Sequence, residues 1–105
     1  MNHDYARQRR ETIDTFRQSK GVKLPPRAVV DYAFFIEEND ADWAALERAL
    51  RAKGFRTRRL KDGETLIASI GPVAISADEI WRWEELATQI ALAHDFYPDG
   101  WELDL

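Results

Sequence analysis

The chain has 105 residues, 45% of them apolar and 32% charged, with a formal net charge of −4. That is one domain's worth of sequence with enough apolar material for a core, which excludes a disordered or low-complexity chain. Cysteine is absent, which excludes disulfide staples, thiolate metal sites and cysteine nucleophiles.

Residues 3–20 read as a helix, free of Gly and Pro, with Gly21 as its stop. Its apolar stripe of Tyr5, Thr12, Ile13 and Phe16 is narrow and ringed by arginines, so it docks weakly or waits for a partner. This is also the basic end: residues 1–30 hold seven Lys/Arg against three acids, and residues 31–105 hold eight against sixteen. The acidic body should repel phosphate backbones, and the basic helix should attract an anion or fold back on the body. With residues 1–21 as this helical arm and 22–28 as a linker, whose two prolines favour an extended backbone, the whole chain 1–105 reads as one domain.

"AVVDYAFFIEE" follows as a strand. Val30, Tyr32, Phe34 and Ile36 point one way while Ala33 and Phe35 point the other, as in a central strand. The next helix is predicted to start at Asn39 or Asp40 as cap and to bury Trp43, Leu46, Ala49 and Leu50. "AKGF" ends it, with Gly54 in the left-handed position and Phe55 packing back on Leu50. "FRTRRL" and "TLIASIGPV" flank an Asp62-Gly63 pair, a hairpin signal. Ser76 and Glu79 form a capping box, with Ile75 and Ile80 as a hydrophobic staple, for a helix running to about His94. Its predicted stripe is Ile80, Trp83, Ala87, Ile90 and Ala91. Tyr97-Pro98-Asp99-Gly100 has the residue types of a type I turn, and Trp101, Leu103 and Leu105 then alternate with Glu102 and Asp104 as a last, half-buried strand.

After the first helix the order is strand–helix–strand–strand–helix–strand. Two split strand–helix–strand units predict an α+β ferredoxin-like sandwich, an antiparallel four-stranded sheet with two helices on one face, preceded by an extra N-terminal helix. Right-handed crossovers set the strands in the order four, one, three, two, with the last strand at an edge. No apolar run approaches the roughly 20 residues that span a bilayer, and no charged-then-apolar leader opens the chain. No membrane partner is therefore expected, and cytoplasm is the expected compartment.

Few residues are placed for chemistry. Glu37, Glu38, Asp40 and Asp42 cluster between a strand and a helix, but "EENDADW" has no glycine for a calcium-loop turn, and helix capping with a solvated acidic edge accounts for it. His3 and His94 belong to no metal spacing; His94 at a helix end gains from the dipole. Ser76 is a cap, and neither Ser19 nor Ser69 sits in a nucleophile elbow. No enzyme, metal or cofactor is expected. RNA-recognition domains share this topology and stack bases on rings of the open sheet face. Phe35 qualifies, yet its neighbours by parity are Glu37, Glu102 and Asp104, the wrong sign for RNA, and Arg56, Arg58 and Arg59 read as a solvated strand edge. A nucleic-acid-binding module using that face and the basic helix is the alternative reading, with direct nucleic-acid binding not expected. Trp43 and Trp83 lie on core stripes; Trp81, about 100° off the Ile80 stripe and near Leu92, forms an exposed apolar patch unless the N-terminal helix covers it.

"QRRETIDTFRQSKG", "DYAFFIEENDADWAALERALRAKGF" and "FYPDGWELDL" together resemble the regulator of ribonuclease E activity B family over nearly the whole chain. The Asp99-Gly100-Trp101 run after Tyr97 and the opening helix ending at a glycine carry most of it. The resemblance implies a small noncatalytic cytoplasmic protein that binds ribonuclease E, or a related RNA-processing assembly, and inhibits it. Two features depart from the family: its members carry a long acidic tail after the final strand, where this sequence stops at Leu105, and their opening helix is acidic, whereas this one is basic. The partner contact is expected on the acidic loop (Glu37, Glu38, Asp40, Asp42), the Asp99, Gly100, Trp101 turn, Trp81, and Arg9 and Arg10 of the first helix. A homodimer is a further open possibility.

Overall fold

The computed structural model describes residues 3–19 and 23–105, which form α1 (Tyr5–Gln18), β1 (Arg27–Ile36), α2 (Trp43–Ala52), β2 (Arg56–Arg59), β3 (Thr65–Ala74), α3 (Ala77–Leu92) and β4 (Phe96–Asp104). The Gly21 stop and the start of the predicted linker lie outside the described residues. The strands form one sheet in the order β2-β3-β1-β4, every neighbour antiparallel. That is the order expected from the sequence, and the α+β architecture is compatible with a ferredoxin-like sandwich.

The alternation in β1 decides the layers. Val30, Tyr32 and Phe34 are at most 1% exposed and pack with Leu46 and Leu50 of α2 and Ile80, Ala87 and Ala91 of α3. Val29, Asp31, Ala33 and Phe35, on the opposite face, stay partly exposed because neither helix covers them. β1 holds the centre, with β3 on one side and β4 on the other. The Tyr32 hydroxyl, buried under α3, donates to the Ile80 carbonyl at 2.7 Å; burial first, then the Glu84 and Glu79 charges, push its pKa up.

Local signals set the element ends. Ser76 caps α3 by accepting the Glu79 N–H at 3.1 Å, while the Glu79 carboxylate is taken up by the Trp83 indole N–H and by Arg82. α2 ends in a Schellman motif: Phe55 N–H donates to Leu50 O and Gly54 N–H to Arg51 O, and the Phe55 and Leu50 side chains meet in the core. In the β2–β3 hairpin, Asp62 accepts the Glu64 and Thr65 N–H groups, and these bonds, Glu64's first, hold its carboxyl below the ordinary range.

Two sequence expectations are corrected. α2 is capped by Asp42, which accepts the Ala45 N–H at 3.0 Å, not by Asn39 or Asp40. Asp42 directly precedes Trp43, the first residue of the buried stripe, and packing of that ring on Phe96 fixes where the helix starts. Residues 97–100 are not a turn. β4 is continuous from Phe96, and Tyr32 and Phe34 pair with Trp101 and Pro98, so Asp99 and Gly100 together face Ala33 alone. The extra residue is absorbed as a β-bulge with Gly100 at φ +97°. Proline is tolerated because β4 is an edge strand.

Candidate interaction surface

β1 leaves the sheet at Ile36, and Glu37, Glu38, Asp40 and Asp42 follow as an exposed loop. Asp42 is occupied as the α2 cap; among the described residues the other three make no ion pair. No three acid or histidine side chains among the described residues are grouped to hold a metal ion. The Asp99-Gly100 bulge lies opposite Ala33, three residues before Ile36 and so about 10 Å along the edge from the loop. Asp99, Glu102 and Asp104 are exposed along this margin, while Trp101 is partly buried and turns in to the core. Loop and bulge thus join into one acidic border on the β4 side of the sheet.

The structure does not bring Trp81 to that border. It is 8% exposed, so the expected open Trp81–Leu92 patch is not formed. The cause is α1, which lies along α3 and is held by polar groups. Gln8 Nε2 donates to Glu84 Oε2 at 3.2 Å and to Thr88 Oγ1 at 2.9 Å, and the Thr12 hydroxyl donates to Glu84 Oε1. Trp81, Glu84 and Thr88 share one face of α3, and the antiparallel stagger of these bonds sets Phe16 of α1 level with Trp81. Glu84 is 3% exposed; burial pushes its pKa up, and the Thr12 and Gln8 bonds oppose that shift. Arg9 and Arg10 are exposed on α1, about 100° and 200° round the helix from Gln8, and face away from this contact.

Between α1 and the bulge lies an open cleft of about 530 Å³, rimmed by Asp4, Arg7 and Glu11 on one side and Pro98, Gly100 and Trp101 on the other, with Glu84 at its base. A second cleft of about 540 Å³ lies on the uncovered sheet face, with Arg58 on one bank and Asp31, Asp99 and Glu102 on the other. Phe35 and Tyr97 pair on this face with ring centroids 5.8 Å apart.

Three structured polar or aromatic groups escaped sequence reasoning. Glu47 is 8% exposed inside α2's stripe and takes Arg59 at 2.6 Å, Thr57 at 3.3 Å and Arg51 at 3.6 Å. The Arg59 hydrogen bonds are the main reason its pKa is lowered, and the same guanidinium lies 5.4 Å from the Trp43 ring centroid. Glu84 is the second and Tyr97 the third. For Glu84 a usable signal existed: Gln8 and Thr12 share a helix face, as do Glu84 and Thr88, and two polar pairs of equal spacing can interlock.

No protein-family model matches the chain, and no curated protein matches its sequence. No helix of the described residues is long and apolar enough to cross a membrane.

Proposed function

We propose that the chain is a noncatalytic, protein-binding regulator of RNA turnover, folded as a ferredoxin-like sandwich with an added N-terminal helix and acting on ribonuclease E or a related RNA-processing assembly. The observation that carries this reading is the acidic border. Glu37, Glu38 and Asp40 stand exposed at one end of β1, and Asp99, Glu102 and Asp104 along β4. A row of solvated carboxylates on a rigid sheet margin complements a basic surface of the kind RNA-binding proteins present to phosphates. Occupying that surface excludes RNA without any chemistry, which is how the regulator would inhibit. The resemblance of the closing "FYPDGWELDL" to the regulator family adds to it.

The test is capture of purified ribonuclease E on the immobilised chain, with cleavage of a labelled RNA followed in parallel. Binding and slowed cleavage are expected, both weakened at least tenfold when Glu37, Glu38 and Asp40 are changed to Gln, Gln and Asn. Asp42 is left in place because it caps α2. Unchanged cleavage with saturating chain refutes the reading.

One observation favours the nucleic-acid alternative: the Phe35–Tyr97 pair shares the open face with Arg56 and Arg58. Against it, the central strand β3 offers Thr65, Ile67 and Ser69 there rather than a ring, and Asp31, Glu102 and Asp104 lie on the same face. Titration with short RNA at low salt decides it, since phosphate-driven binding must weaken as salt rises.

A further inference from the structure

The open sheet face is not uniformly charged. Strand pairing aligns Arg56, Ser69, Asp31 and Glu102 in one row across all four strands. The next row is Arg58, Ile67, Ala33 and the Asp99-Gly100 bulge. In both rows the cation lies at the β2 margin and an acid at the β4 margin; Ser69 and Asp31 lie between them in the first row, Ile67 and Ala33 in the second. Asp31 accepts the Ser69 hydroxyl at 2.5 Å, which partly satisfies the one charge near the middle.

We propose that this face binds a second copy of the same chain. A two-fold axis parallel to the strands, midway between β3 and β1, exchanges the two margins and keeps each row at its own height. Arg56 of one copy then lies over Glu102 of the other, and Arg58 over Asp99, so each copy makes both pairs twice over. A two-fold axis across the strands carries β2 onto β2 and sets arginine over arginine, so the charge pattern selects one arrangement. The rows between the margins, Ile67 and Ala33 above all, supply the dry centre, and sheets packed face to face stand about 10 Å apart. Four strands by three or four same-face rows give roughly 450 Å² of face per copy, or about 900 Å² in all, at the low end of specific interfaces. The dimer is therefore reversible and concentration-dependent. The axis keeps both Glu37–Asp42 loops at one end of the pair, so the dimer offers two acidic loops to one partner, while Asp99 and Glu102 of the border are taken up between the copies and reach a partner only from the monomer. Self-association itself does not rest on the partner's identity.

Sedimentation velocity of the whole chain from about 5 to about 500 µM tests it. The wild type is expected to shift from one to two chains' mass over that range. Arg56→Glu with Arg58→Glu, and separately Asp99→Arg with Glu102→Arg, each give both margins of these two rows a single sign and are expected to weaken association at least tenfold. All four residues are exposed, so the fold, followed by circular dichroism, is kept. Mixing the two variants should restore the dimer, because the margins brought together are then opposite in sign. Because the chain has no cysteine, a second measurement is direct: across a gap of about 10 Å, a chain carrying Arg56→Cys should be joined by a short bismaleimide to one carrying Glu102→Cys faster than either is to itself. A wild type that stays monomeric throughout, a dimer indifferent to both variants, a mixture that fails to reassociate, or a face that takes up RNA or a basic peptide in place of its own copy overturns the proposal.

Discussion

Replacing Thr12 by Val tests how α1 is held, since valine keeps the shape and removes only the hydroxyl. Thr12 is 3% exposed and donates to Glu84, also 3% exposed. Without it the carboxylate keeps Gln8 Nε2, at 3.2 Å, as its remaining side-chain donor. A hydrogen bond to a charged group contributes about 1.5–3 kcal/mol, so a loss of about 2 kcal/mol is expected near neutral pH. At this chain length that lowers Tm by about 10 °C. The loss should depend on pH. Burial raises the Glu84 pKa and the Thr12 bond opposes the rise, so removing it raises the pKa further and hurts most where the group is ionised. Urea unfolding at about pH 7.5 and about pH 5 measures the effect, and hydrogen exchange across Gln8–Phe16 reports whether α1 loosens first. The same midpoint as wild type at both pH values, with α1 exchange unchanged, would refute the reasoning and leave the Gln8 bonds and Phe16 packing as the fastening.

Glu84→Gln carries the complementary sign. Because its folded pKa is raised, the stability Glu84 contributes is fully present below its unfolded value of about 4.3 and is lost as pH rises through the folded value. The stability difference between wild type and variant, measured across that window, should move in the variant's favour, and a flat difference is the contrary result. Phe55→Ala removes a 2% exposed ring that meets the edges of Tyr32 and Trp83, at centroid distances of 6.4 and 5.9 Å; a cost of about 3–5 kcal/mol is expected by denaturant unfolding. Gly100 and Gly71 both have positive φ, at +97° and +117°, but a Cβ at Gly100 meets nothing within 4 Å. At Gly71 it would lie 2.7 Å from Val73 N and 2.9 Å from Ala28 O. Gly100→Ala should therefore cost about 1–2 kcal/mol from conformation alone, and Gly71→Ala clearly more; equal melting points would contradict this.

The parts of the fold set by short-range signals were legible. The alternation of β1, the Ser76 cap, the Gly54-Phe55 ending and the Asp62-Gly63 hairpin each need only a few adjacent residues, and from them the element order and sheet order follow. What misled was residue type read without its neighbour strand. Pro98 and Gly100 look like a turn until β1 is set alongside, and then they are an edge and a bulge. What stayed hidden was long-range: Gln8 and Thr12 meet Glu84 across 76 and 72 positions, and matched polar spacing on two helices does not by itself say that the two lie together. The same contact removed Trp81 from the candidate surface, whereas the acidic loop, exposed by its own composition, was readable directly.

The bulge at Asp99-Gly100 makes β4 change step halfway along its length. Before it the even-numbered Phe96 turns inward, and beyond it the odd-numbered Trp101 and Leu103 do. A regular ladder that turns Phe96 inward turns Trp101 outward, so only the bulged pairing buries both halves of the strand. The kink thus works as a tooth, seating the strand at the one pairing in which both halves face the helices. Pairing the same residues in a regular ladder, without the bulge, would send the tryptophan outward and Glu102 into the core.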